Sequence, residues 1–185
     1  AEDHLLRRTD KTPNTQGARF LGLGPGPGGW GTREMLKAAS TGRLKALLLF
    51  EFDPWEEPTL RDELSEAMDN LDVLAVWAVQ ESAVTSRAHI VIPALGYSEK
   101  EGTIINFAGR VQHVRKAVPS KGKILPLGEI LRQVAIGLNR SWDCRSPEKI
   151  WSCLAEENPI FGGIKYEAIG PLGIAVSNTA SRGKS

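Results

Sequence analysis

Three short runs of almost purely apolar residues limit what this chain can fold into. They cover residues 44–50, 73–79 and 89–95, and none alternates with polar residues. A run of this length without alternation is the mark of a strand buried on both faces, the kind found in parallel sheets. Between the first two lies residues 59–70, where Leu60, Leu64, Ala67, Met68 and Leu71 fall at helical spacing behind Thr59 as a cap. Residues 82–88 form a shorter helix or turn before the third run. An earlier helix is expected over residues 33–41, with Thr32 as N-cap and Gly42 as its stop. Strand, helix, strand, helix, strand with short links is the pattern of right-handed crossovers in one sheet. The expected class is α/β, a Rossmann-like parallel sheet flanked by helices.

The pattern changes after Gly96. Residues 103–107 and 111–114 are extended runs around Ala108-Gly109-Arg110, so a β-hairpin excursion is expected around residues 97–115. Helices follow over residues 127–138 and 147–157, the second with Ser146 as N-cap and Pro147 in the first helical position. The expected organisation is a flexible N-terminal segment over residues 1–19, one α/β domain over 20–170 and a flexible tail over 171–185. The chain starts with Ala and its first nineteen residues carry no apolar period, so it reads as a piece of a longer protein.

Charge is nearly balanced, with 23 Lys and Arg against 22 Asp and Glu among 185 residues. That excludes a nucleic-acid binder acting through bulk charge. No apolar stretch is long enough for a membrane helix, so direct membrane insertion is not expected. Cys144 and Cys153, nine residues apart, fit no four-ligand metal pattern and read as two ordinary thiols. His4, His89 and His113 are scattered and make no metal motif. No serine or cysteine nucleophile motif occurs, so no catalytic residue and no metal ligand is assigned.

Three features offer binding chemistry. Gly26-Pro27-Gly28-Gly29-Trp30-Gly31 has the spacing of a dinucleotide-binding loop, but Pro25 and Pro27 remove two N–H donors, and a plain connecting loop is the stronger reading. Asp53, in Phe50-Glu51-Phe52-Asp53-Pro54, stands at the carboxyl end of the first strand, where α/β sheets gather ligands. With Gln80-Glu81-Ser82 and Pro93-Ala94-Leu95-Gly96 it defines one crevice. In the hairpin, Asn106, Arg110 and Gln112 place an amide, a guanidinium and an amide in one small region, suited to a phosphate or a planar heterocycle.

His89-Ile90-Val91-Ile92-Pro93-Ala94, Glu99-Lys100-Glu101-Gly102-Thr103, Asn106 and Gly109-Arg110-Val111-Gln112 together resemble the molybdopterin oxidoreductase superfamily. Within it they look closest to the large iron-sulfur subunit of NADH-quinone oxidoreductase, respiratory complex I. That resemblance implies a non-catalytic scaffold domain without a cofactor of its own, in a protein whose iron-sulfur clusters lie elsewhere. Its partners would be other domains of the same subunit and other complex I subunits, on the cytoplasmic face of the inner membrane. The alternative it implies is the domain of a molybdenum enzyme such as formate dehydrogenase that holds molybdopterin guanine dinucleotide. Asp53, Glu101, Gly102, Thr103, Asn106, Arg110 and Gln112 would then surround the nucleotide. In such enzymes the strand-end turn commonly runs Gly-x-Asn/Asp-Pro. Glu51 stands here at the Gly position, a departure that favours the complex I branch.

Overall fold

The computed structural model describes residues 13–120 and 122–176. Where the sequence leads one to expect a single domain over 20–170, the described residues divide into two compact units, one of residues 25–97 with 120 and 122–126 and the other of residues 13–24, 98–119 and 127–176.

The first unit holds the expected parallel sheet. Strands β1 (Ala46–Phe50), β2 (Val73–Ala78) and β3 (Ile90–Pro93) lie in the order β1-β2-β3, all parallel. Each strand is shorter than its apolar run, because the flanking residues leave the ladder to turn. Helices α2 (Thr32–Ser40) and α3 (Arg61–Asn70) pack against each other and on one face of the sheet. Leu36 and Ala39 of α2 and Leu64, Ala67 and Met68 of α3 meet Leu47, Leu49, Leu74 and Val76 of the strands. Gly42 ends α2 at φ +73°, a left-handed conformation that costs glycine little. Arg33 joins the two helices by pairing with Glu63 and donating to Thr59 O at 2.8 Å. His89 fixes the entry to β3: its Nδ1 accepts from Leu74 N at 3.0 Å, and its own N–H donates to Leu74 O at 2.9 Å. The opposite sheet face carries Leu48, Phe50, Ala75, Trp77 and Ile90, since register partners in a parallel ladder point the same way. Leu48 and Ile90 are about half exposed there.

The second unit is antiparallel. Strands β4 (Gly102–Ile105) and β5 (Arg110–Val114) form the hairpin expected from the sequence, and β6 (Ile174–Ala175) pairs with the other edge of β5. The β5-β6 approach is close: a Cβ on Gly173 would lie 2.3 Å from Val111 O, so no side chain fits there. Helix α5 (Pro147–Glu157) has the predicted bounds, with Ser146 Oγ accepting from Lys149 N at 3.3 Å. Its Trp151 joins Ile105, Val111, Phe161 and Ile169 in a second core. Helix α1 (Thr15–Phe20) falls, all but Phe20, in the span expected to be flexible, and Asn14 Oδ1 ties it to the hairpin by accepting from Ile105 N at 2.8 Å. Likewise β6 falls inside the expected tail. Residues 1–12 and 177–185, which those two expectations also cover, lie outside the described residues.

Helix α4 (Leu127–Gly137) carries a bidentate pair in which Arg132 Nε and Nη2 donate to Glu129 Oε2 and Oε1 at 2.8 and 2.6 Å. With a further bond from Gln133, this pair pushes the Glu129 carboxyl down from 4.5 to about 2. Because the folded value is depressed, whatever the pair contributes to stability is complete above the ordinary carboxylate range and is lost as pH falls toward 2. An NMR titration of Glu129 is expected to give a midpoint near 2. A midpoint at the ordinary 4.5 would mean that the Arg132 contact does not hold in solution.

Candidate functional site

The carboxyl ends of β1 and β2 open onto a crevice of about 170 Å³. Its walls come from the turn after β1 (Glu51, Phe52, Asp53), the end of β2 (Val76 to Val79), Gln80, and the loop holding Ser82, Val84 and Thr85. Parallel packing places these ends at one edge of the sheet, which is why ligands collect there.

Each polar group in the crevice has a structural reason for its position. Asp53 Oδ1 caps the short 3-10 turn at Pro54–Glu56 by accepting from Trp55 N at 2.8 Å. The residue also lines the crevice. Ser82 and Thr85 close a small turn, with Ser82 N donating to Thr85 Oγ1 at 2.7 Å and Thr85 Oγ1 donating to Ser82 O at 3.0 Å. Trp77 is only 4% exposed and stacks on Phe50, ring centroids 4.6 Å apart. Its Nε1 is the buried side-chain N or O atom among the described residues that lacks any hydrogen-bond partner. Leaving such a donor unpaired costs roughly 1–3 kcal/mol, and the indole nitrogen is itself closed to solvent.

Glu51 sits at φ +52°. The backbone thus keeps the left-handed turn for which glycine is the usual residue, although the side chain departs from glycine. Glu51 is therefore no sign of a rebuilt loop. Glu51→Gly is expected to raise stability by about 1 kcal/mol through relief of left-handed strain, partly offset by glycine's larger unfolded-state entropy. A thermal melt of the variant checks this, and a lower melting temperature would show that the Glu51 side chain is needed to hold the turn.

The crevice walls carry two carboxylates and neither Lys nor Arg. Such a lining suits sugar hydroxyls and ring N–H donors better than phosphates, whose charge it would repel. The volume is also below the ~300 Å³ of an ordinary ligand pocket, enough for one ring-sized group.

The remaining sequence candidates belong to the other compact unit, apart from Asp53. Asn106 Oδ1 accepts from Ala108 N at 2.9 Å and Arg110 N at 3.1 Å, while its Nδ2 donates to Gln112 Oε1 at 2.8 Å. Arg110 donates from Nε to Leu172 O at 2.9 Å and from Nη2 to Gly173 O at 2.6 Å. These three side chains hold their own hairpin and β6 in place. Thr103 pairs across the hairpin with His113, Gly102 takes φ +153°, and Glu101 is exposed. His113 Nε2 lies 3.0 Å from Tyr166 O, and His4 is outside the described residues.

The glycine-rich loop is a surface turn, Gly29 N donating to Gly26 O at 2.8 Å, with Gly31 as N-cap of α2. No strand leads into it, the element before it being α1, so the strand-to-helix setting of a dinucleotide loop is missing. Sequence reasoning passed over Trp77, because an apolar run hides the one polar atom of its side chain.

Comparison with known proteins places this geometry. The family model described as molybdopterin oxidoreductase matches residues 22–136, well over half of the chain. A Bacillus subtilis (strain 168) protein provisionally named as a formate dehydrogenase is 30% identical over 136 residues, covering 74% of this chain and 14% of that protein. The alpha subunit of F420-dependent formate dehydrogenase 2 from Methanococcus maripaludis is 30% identical over 125 residues, covering 64% of this chain and 18% of that one. Acetylene hydratase from Pelobacter acetylenicus shares the fold at a TM-score of 0.53 and 14% identity, over 72% of this chain and 19% of that one. The chain therefore spans less than a fifth of the length of these relatives.

These relatives overturn the complex I expectation, together with the NADH dehydrogenase and quinone roles drawn from it. The physical reason lies in the hairpin. Asn106, Arg110 and Gln112 bond only within their own hairpin and to the residues leading into β6, a local role that does not separate one branch from another. The superfamily resemblance itself stands, and the family implies a molybdopterin cofactor for the whole protein. This chain belongs to the molybdopterin oxidoreductase family.

Proposed function

We propose that this chain is the nucleotide-holding domain of a molybdenum-dependent oxidoreductase of the formate dehydrogenase kind, and that its strand-end crevice takes the guanosine end of molybdopterin guanine dinucleotide. The observation that carries this reading is a strand-end crevice lined by Asp53 and by Trp77, whose buried N–H is unpartnered and meets a ligand only once the crevice opens to it. A guanosine supplies the complements of both: ring and sugar oxygens that accept from the indole, and N–H or hydroxyl groups that donate to Asp53 Oδ2. The residues present thus fit one end of the cofactor. When bound in the whole enzyme, the cofactor supplies the metal centre at which a small substrate such as formate is oxidised.

The work of this chain's own residues is to bind and to orient. Asp53 is held by its cap to Trp55 N, so its free oxygen meets the ligand without losing much rotamer freedom. Thr85 and Ser82 shape the opposite wall. Asn106, Arg110 and Gln112 serve the hairpin, and the phosphates, metal ligand and any iron-sulfur clusters are left to the rest of a longer polypeptide.

Thermal melts of the full chain with GMP or GDP test the reading. Ligand at ten times its dissociation constant is expected to add about 1.4 kcal/mol, a rise of roughly 3–5 °C, with AMP giving less. No rise with millimolar guanine nucleotide would overturn it.

A further inference from the structure

The two cysteines lie outside the crevice and have no part in the cofactor reading. Cys144 stands two residues before Ser146, the N-cap of α5, and Cys153 lies in the middle of that helix. The fold turns both side chains toward each other, with Cys144 Sγ 2.9 Å from Cys153 Sγ. That is closer than two sulfur atoms ordinarily rest without a bond, and it is the approach from which a disulfide forms with little backbone movement. Both are free thiols, Cys144 buried and Cys153 partly exposed.

We propose that Cys144 and Cys153 are a redox modification site, closing to an internal disulfide when a small hydroperoxide or a low-molecular-weight disulfide oxidises the pair. The partly exposed Cys153 meets the oxidant first. With a hydroperoxide such as hydrogen peroxide, Cys153 Sγ attacks the peroxide oxygen, the O–O bond breaks, and a sulfenic acid and one water result. Cys144 Sγ then attacks the Cys153 sulfur, the S–O bond breaks, and hydroxide leaves with the Cys144 proton as a second water. Two thiols have lost two hydrogens and the peroxide has gained them. The hydrogen bond with Cys144 and then burial push the Cys153 thiol up, against a smaller opposing effect of Lys149. The resting pair is therefore protonated, and its attack on an oxidant is slow and quickens as pH rises.

Closure would have a structural consequence. The cross-link spans the start of α5, including Ser146 and Pro147, and fixes the turn of helix that carries Trp151 into the second core. A ten-residue loop closed in the unfolded chain is expected to raise the melting temperature by roughly 5–10 °C.

Mass spectrometry of the full folded chain tests this, since the chain has only these two cysteines. After treatment with hydrogen peroxide or oxidised glutathione and alkylation without reductant, the expected species is a monomer lighter by about 2 Da that carries no alkyl group. A tryptic digest should then link the peptide ending at Arg145 to the peptide ending at Lys165. Cys153→Ser should abolish the internal link without lowering the melting temperature of the reduced protein. Two alkylated cysteines after oxidation, or only glutathione adducts, over-oxidised sulfur or intermolecular dimers, would overturn the proposal.

Discussion

Replacing Trp151 by alanine is expected to cost about 3–5 kcal/mol and to lower the melting temperature by roughly 10 °C. Trp151 is 3% exposed, packs on Phe161 with ring centroids 5.5 Å apart, and donates from Nε1 to Ile164 O at 2.8 Å. The substitution therefore removes a large buried surface, opens a cavity and takes away the partner of a carbonyl. Trp151→Phe separates these effects. It keeps most of the apolar area and loses only the hydrogen bond and the edge of the ring, so a loss of about 1–2 kcal/mol is expected. Melts by circular dichroism check both variants. If the alanine variant melts within about 2 °C of the parent chain, the second core does not carry the stability assigned to it.

Trp77→Phe is expected to behave in the opposite way. Trp77 is as buried as Trp151, but its Nε1 has no partner among the described residues. Removing the indole loses some packing, yet it also removes a buried donor left unpaired, a relief of roughly 1–3 kcal/mol. The two nearly cancel, so the melting temperature without ligand should stay within about 3 °C of the parent value. The effect should appear in binding. Loss of the N–H is expected to weaken guanine nucleotide at least about tenfold, the equivalent of one good hydrogen bond in a closed site. Isothermal titration calorimetry on both chains measures this. A Trp77→Phe chain that is markedly less stable but binds as before would make Trp77 an ordinary core residue.

The contrast between the two tryptophans shows what the sequence could reveal. Both stand in segments whose elements are plain from pattern. Ser146-Pro147 marks the start of α5, and the unbroken apolar run marks β2. Neither pattern says where an indole N–H will point, because that depends on a partner elsewhere in the chain. Ile164 O reaches the Trp151 N–H from thirteen residues away, and no acceptor among the described residues reaches the Trp77 N–H.

The division into two units was hidden for a similar reason. Its second core joins Ile105 and Val111 of the hairpin to Trp151, Phe161 and Ile169, residues 40 or more positions later. Local periodicity carries no information about pairings of that kind. Helix α1 is six residues long and contains Gly17, and β6 has two residues, both too short for a period. At the crevice, Asp53 and the ends of β1 and β2 were legible because apolar runs end there, whereas Glu81 and the third strand end at residues 93–96, expected in the same crevice, are not among its lining residues. Glu51 misled, since its letter departs from glycine while its backbone does not. The superfamily was legible in the hairpin motifs, and the branch was not, because Asn106, Arg110 and Gln112 serve the hairpin itself and touch nothing that would mark a branch.

The central claim is that the Trp77 N–H in the strand-end crevice receives the nucleoside end of the cofactor. NMR of the full chain labelled with nitrogen-15 tryptophan tests it most directly. The chain has five tryptophans, and the indole resonance of Trp77 is the one that disappears in Trp77→Phe. Titration with GDP is expected to shift that resonance downfield as its N–H gains an acceptor, while those of Trp142 and Trp151, in the other unit, stay in place. A Trp77 resonance that does not move at saturating GDP would contradict the account.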